Sequence, residues 1–187
     1  MLRYQESNEL HRDFHGSTHL AIHYLAENYG VEAAKGVLRK TGREVYKSIH
    51  DKLADGDDSE LVEHLSWFAN REGARYRMEV APDEVVFEMI ECPAIRHLRK
   101  LGITPDELTC LQTSEINAGM CEGTPWECDL EILGEGHCIQ RFKKVRGQRR
   151  LKFKGKRLKS GPRSQVPGPA NSSGAGRASA EHFIVNC

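Results

Sequence analysis

Nowhere in the chain do about 18 apolar residues follow one another, so no segment reads as a membrane-spanning helix. The amino terminus, MLRYQESNELHRDFH, lacks the apolar stretch of a signal peptide. The expectation is a cytoplasmic protein whose six cysteines (Cys92, Cys110, Cys121, Cys128, Cys138, Cys187) are thiols, not a disulfide framework. Cys121, Cys128 and Cys138 form no Cys-x-x-Cys pair, which leaves a structural zinc site little support. No signature of a nucleic-acid-binding fold is present, and no cofactor is implied.

What is present suits one ordinary domain. The chain has 187 residues, 39% of them apolar and 29% charged, enough for a core of its own. A net charge of zero hides an asymmetry. Residues 143–187 carry twelve lysines and arginines against Glu181 alone, while the rest of the chain holds fifteen basic and twenty-six acidic side chains. From Gly147 onward charge runs give way to Pro, Gly, Ser and Ala without apolar period, the composition of a disordered segment. The reading is a single globular α+β domain over residues 1–145 and a disordered basic tail over 146–187. Only the tail could attract phosphates, and a solvated appendage is the better reading of it, so nucleic acid is not an expected partner.

Apolar periodicity places the elements. Leu10, Phe14, Leu20, Tyr24 and Leu25 recur at helical spacing between Ser7 and Tyr29, with Gly30 as the stop. Val31–Leu53 reads as a second helix buried along Ala33, Val37, Leu38, Val45, Tyr46, Ile49 and Leu53; Gly36 and Gly42 within it suggest a close helix–helix approach. A third helix runs from Ser59 to Glu72. The period then shortens to two: Tyr76, Met78 and Val80 alternate, Pro82-Asp83 turns, and Val85 to Ile90 returns, a hairpin. Pro93 opens a short helix to Leu101. Thr104-Pro105-Asp106-Glu107 has the form of a capping box and predicts a helix reaching Ala118. Cys128–Leu133 and Cys138–Phe142 form a second hairpin. The predicted fold is an antiparallel sheet of two hairpins covered by about five helices.

Three groups carry chemistry. Cys92 lies at a strand-to-helix junction with Pro93 at the first helical position, where free backbone N–H groups and the helix dipole favour a thiolate. It reads either as a nucleophile or substrate-binding thiol, or as a small apolar residue filling the corner; geometry favours the second, because activation also needs access. Cys110 and Cys138 read first as core. His11, His15, His19 and His23 form a ladder at steps of four, each advancing about 40° around the helix. Neighbours such as His11 and His15 have metal-ligand spacing, yet no Glu-bearing zinc motif accompanies them, and a titrating solvent face is the better reading of them. Gly16 beside His15 leaves room for something to approach the helix.

Taken in order, Phe14-His15-Gly16, Tyr24-Leu25, Tyr29-Gly30, Glu91-Cys92-Pro93, Cys110 and Gly134-x-Gly136-His137-Cys138-x-x-x-Phe142 resemble the L-2-amino-thiazoline-4-carboxylic acid hydrolase family over about residues 8–145. The closing Gly…Cys…Phe hairpin is also similar to vinyl-4-reductase-type ligand-binding domains. The first resemblance implies hydrolytic opening of a cyclic isothiourea: water adds between ring sulfur and nitrogen, the sulfur leaves, and an N-carbamoyl thiol amino acid forms. It implies Cys92, His15 and Cys110 as catalytic residues, with Ser114 and Glu115 as substrate-binding candidates. Family members carry an acid where this chain has Thr113, and Glu115 is placed to substitute for it. The alternatives are a small-molecule-binding domain without turnover and a histidine-based metal sensor.

Overall fold

The computed structural model describes residues 14–145. Ser7–Asp13, His11 and the tail from residue 146 therefore lie outside the described residues. Six helices and four strands follow one another as α1 (Phe14–Tyr29), α2 (Val31–Glu44), α3 (Lys47–Ala54), α4 (Ser59–Arg71), β1 (Arg75–Ala81), β2 (Glu84–Glu91), α5 (Pro93–Lys100), α6 (Leu111–Cys121), β3 (Trp126–Gly134) and β4 (His137–Lys144). The α+β class and the two hairpins agree with the sequence reading.

The hairpins join edge to edge in one antiparallel sheet of order β1-β2-β4-β3. Its register makes three inward rows: Val80–Val85–Phe142–Cys128, Met78–Phe87–Gln140–Leu130 and Tyr76–Met89–Cys138–Ile132. Directly opposed residues share a face, and the rows are buried toward the middle of the sheet, while Val80 and Ile132 at its edges are exposed. Val85, Phe87 and Phe142 are almost fully buried, and their cluster takes in Leu53, Leu61, Met120 and Trp126. Most intervening positions are charged, and some pair across strands, as in Glu84–Lys143 and Arg77–Glu88. A sheet polar on one face must bury the other, and the helices cover it.

Where the structure differs from the sequence reading, tertiary contacts decided. The helix expected over Val31–Leu53 breaks, because Tyr46 leaves helical geometry (ψ 33°) and its ring meets His64 of α4, 5.2 Å between centroids. On α1 the buried residues are Gly16, His19 and Ile22, while Leu20 and Tyr24 of the expected stripe are exposed. On α2 they are Ala34, Leu38 and Gly42, not Ala33 and Val37. The capping box at Thr104 does not start a helix. Asp106 instead organises a local turn, its Oδ1 accepting from the Leu108 N–H at 3.1 Å, and α6 begins only at Leu111. Asp in this role offers the backbone an alternative to helix.

Close approach of α2 and α6 did follow from the glycine pattern. A Cβ on Gly42 would overlap the Ile116 carbonyl, and one on Gly119 the Arg39 carbonyl, so the two backbones touch. Gly36 has open space around it and plays no such part.

Candidate functional site

Between the inner face of the sheet and the helices lies a cavity of about 200 Å³. The second and third rows supply its floor: Phe87, Met89, Cys138, Gln140, Leu130 and Ile132. Cys110, Thr113, Ile116 and Asn117 line it from α6 and the residue before it, Cys92 to Ile95 from the start of α5, and Phe14 and His15 from α1. Tyr46, His64 and Phe68 complete an aromatic side. Most of this lining is apolar, with a few convergent polar groups, the ordinary character of a small-molecule site.

Cys92 is the N-cap of α5 in extended conformation (φ −73°, ψ 122°), and its N–H donates to the Gly136 carbonyl at 2.9 Å. This ties the end of β2 to the β3–β4 turn. Of the two readings of Cys92, its surroundings favour the buried one. Burial raises the thiol pKa by more than the N–H groups of Ile95 and Ala94 lower it; Glu72 adds to the rise and Arg96 opposes it. No full cap hydrogen bond forms to the sulfur. Desolvation outweighs the helix mouth, and Cys92 enters the cavity as a neutral thiol.

Cys110 is the N-cap of α6 rather than a mid-helix residue. Burial raises its pKa, with the Cys92 charge adding to the effect. Burial pushes Cys138 up to about 12, reinforced by Cys92 and Cys110. All three thiols line the same cavity; Cys92 disfavours ionisation of Cys110, and both disfavour that of Cys138.

His15 is anchored. Its Nε2 lies 2.8 Å from Glu72 Oε2, with only 9% of the imidazole side chain exposed. An ionised carboxylate only accepts, so Nε2 donates to it, which in a neutral imidazole leaves the lone pair on Nδ1. Glu72 ends α4, and Arg96 of α5 donates to the Glu72 and Gly73 carbonyls at 3.2 Å each. The glycine beside His15 does not open a path: Gly16 is buried, and a Cβ there would sit 3.1 Å from Leu101 Cδ1.

On the floor, Asn117 Nδ2 donates to Gln140 Oε1 at 2.8 Å, a buried amide pair. Each amide keeps further donor and acceptor capacity. The substrate-binding candidates lie elsewhere. Glu115 is buried against Arg39, whose Nε donates to Oε2 at 2.5 Å, and Ser114 Oγ donates to the Leu111 carbonyl at 3.1 Å; neither lines the cavity. Thr113, the departure from the family pattern, does line it. The structure thus brings together Cys92, His15, Cys110 and Thr113, and separates them from Ser114 and Glu115.

Glu72, Asn117, Gln140 and His64 were not singled out in the sequence. Gln140 had a signal: it is a polar residue in the inward phase of Cys138-x-Gln140-x-Phe142. Glu72, remote from His15 in sequence, had none.

His64 gives a pH test. Burial lowers its pKa from the ordinary 6.5, with Glu60 opposing. The folded protein therefore takes up this proton less readily than the unfolded chain. Stability is retained at and above neutral pH and falls as the pH drops below 6.5. Urea midpoints at pH 7.5 and pH 5.5 should differ in that sense, and His64→Gln should flatten the difference. An unchanged slope in that variant would assign the acid sensitivity to other groups.

Set against protein-family models and against curated proteins, the chain matches none of either.

Proposed function

We propose that the protein is a hydrolase that opens a small cyclic isothiourea or amidine, such as a 2-aminothiazoline-4-carboxylate, bound in the cavity. The observation that carries this reading is that His15 and Cys92 line one cavity, with His15 oriented by Glu72. In the proposed reaction His15 Nδ1 takes a proton from water as that water attacks the carbon between ring sulfur and nitrogen. The C–S bond breaks, the sulfur takes up a proton, and an N-carbamoyl thiol amino acid is the product. The Asn117–Gln140 amides would orient the ureido portion. Cys92, Cys110 and Cys138 act as neutral walls and hydrogen-bond donors in this scheme, because burial disfavours their thiolates. A reducing cytoplasm, where the thiols persist, is the proposed setting.

The test is mass spectrometry of 2-aminothiazoline-4-carboxylate and related cyclic amidines after incubation with the full-length protein. The expected product is one water heavier than the substrate. Cys92→Ala should keep turnover within about tenfold, since water rather than sulfur attacks. Loss of all turnover in a folded Cys92→Ala protein would restore a thiolate nucleophile and reject the mechanism.

A second reading, binding without turnover, is favoured by the mostly apolar lining of the cavity. It predicts thermal stabilisation by these ligands with no product formed. That result would replace the hydrolase reading.

A further inference from the structure

The histidine ladder divides between two places. His15 meets Glu72, whereas His19 and His23, further around α1, come together beside Asp106. There the two rings lie 4.3 Å apart between centroids, inclined by 45°. Asp106, from the turn between α5 and α6, approaches the pair. One nitrogen of each histidine and one carboxylate oxygen all lie within 4.8 Å of one another.

Two features of this cluster are unexplained by the fold alone. His19 is more than nine-tenths buried (9% exposed), yet its Nδ1 has no hydrogen-bond partner among the described residues. His23 Nε2 is buried and likewise makes no hydrogen bond among the described residues: Asp106 Oδ2 is 3.2 Å away but is not aligned as one. A buried polar atom without a partner destabilises the fold, so two beside one carboxylate call for an occupant. The carboxylate is meanwhile prepared from behind. Its Oδ1 accepts from the Leu108 N–H at 3.1 Å and from the Thr109 hydroxyl at 3.2 Å, which leaves Oδ2 toward the histidines.

We propose that His19, His23 and Asp106 form a binding site for a divalent transition-metal ion. Two imidazoles at i and i+4 with one carboxylate suit zinc, iron(II), cobalt(II) or nickel, whereas magnesium and calcium prefer oxygen alone. Metal–ligand bonds of about 2.0–2.2 Å require the three atoms to draw together slightly, which the exposed, turn-borne Asp106 permits. The Leu108 and Thr109 contacts orient the carboxylate as outer-shell partners do. None of the three ligands lines the cavity, so this site stands apart from the hydrolase reading. Bound metal would pin α1 to the irregular segment between α5 and α6, which leads into Cys110.

The probes are Zn²⁺ and Co²⁺ titrated into the tag-free, metal-stripped full chain, followed by calorimetry and by the visible spectrum of cobalt. One equivalent is expected to bind, with micromolar or tighter dissociation and a rise in melting temperature. Asp106→Asn and His23→Gln should each weaken binding at least tenfold while leaving the circular dichroism unchanged; both positions are less buried than His19, so these variants keep their fold. Three results would each overturn the proposal: no binding by 100 μM metal; affinity unchanged in the His23→Gln/Asp106→Asn protein; or thiolate-to-cobalt charge transfer that survives in that protein, which would move the metal to the cysteines.

Discussion

Gly119→Val is expected to abolish cooperative folding or to cost at least about 3 kcal/mol, a large share of the 5–15 kcal/mol that holds a domain together. The reason is that the atoms displaced are backbone. A side chain at Gly119 meets the Arg39 carbonyl, its carbon and its Cα, and one at Gly42 meets the Ile116 carbonyl and the Met120 nitrogen. No rotamer change relieves a clash with main chain, so α2 and α6 must separate. Their separation would open the core around Leu38 and Met120 and pull the cavity wall formed by Ile116 and Asn117 off the sheet. Gly42→Ala should act in the same direction. Gly36→Ala is the control, since Gly36 sits in the same helix with nothing near it. That change should stabilise by about 0.5–1 kcal/mol through helix propensity alone. Urea unfolding followed by circular dichroism separates the three. A wild-type midpoint for Gly119→Val would mean that the helices cross with more slack than described.

His15→Gln is expected to lower turnover of the proposed substrate by about 10²- to 10⁴-fold, the range associated with loss of a general base. Glutamine can keep a hydrogen bond to Glu72 while losing the titratable nitrogen, so the fold should persist. Glu72→Gln asks a narrower question. It keeps a polar partner beside Nε2 but removes the charge that selects the tautomer, and a smaller loss in kcat should follow with KM little changed. His15→Gln with full activity would remove His15 from the chemistry even if the cavity binds substrate. Unchanged ligand-induced thermal shift in the same variant would confirm that binding and proton transfer reside on different residues.

Several features were legible because they are local. The two hairpins follow from period-two apolar runs bounded by Pro82-Asp83 and Gly134-Glu135-Gly136, and a strand repeats its environment every second residue. The start of α5 follows from Pro93 at the first helical position, and the structure puts Cys92 at the cap as expected. Of the two glycines that suggested a close helix–helix approach, Gly42 makes one, with α6, and Gly36 makes none.

What the sequence determined by itself is thus the α+β class, the pairing of strands within each hairpin and the junction that carries Cys92. Tertiary structure alone decided which face of α1 is buried, that Asp106 closes a turn instead of opening a helix, and that the ladder separates into His15 with Glu72 and His19–His23 with Asp106. It also decided the state of the Cys92 thiol. The cap position is local and favours the thiolate, but desolvation depends on every element that closes over the sulfur, and here it is the larger effect. Periodicity and caps act over a few neighbouring residues; burial and side-chain partners are set by groups distant in the chain, and no local pattern encodes them.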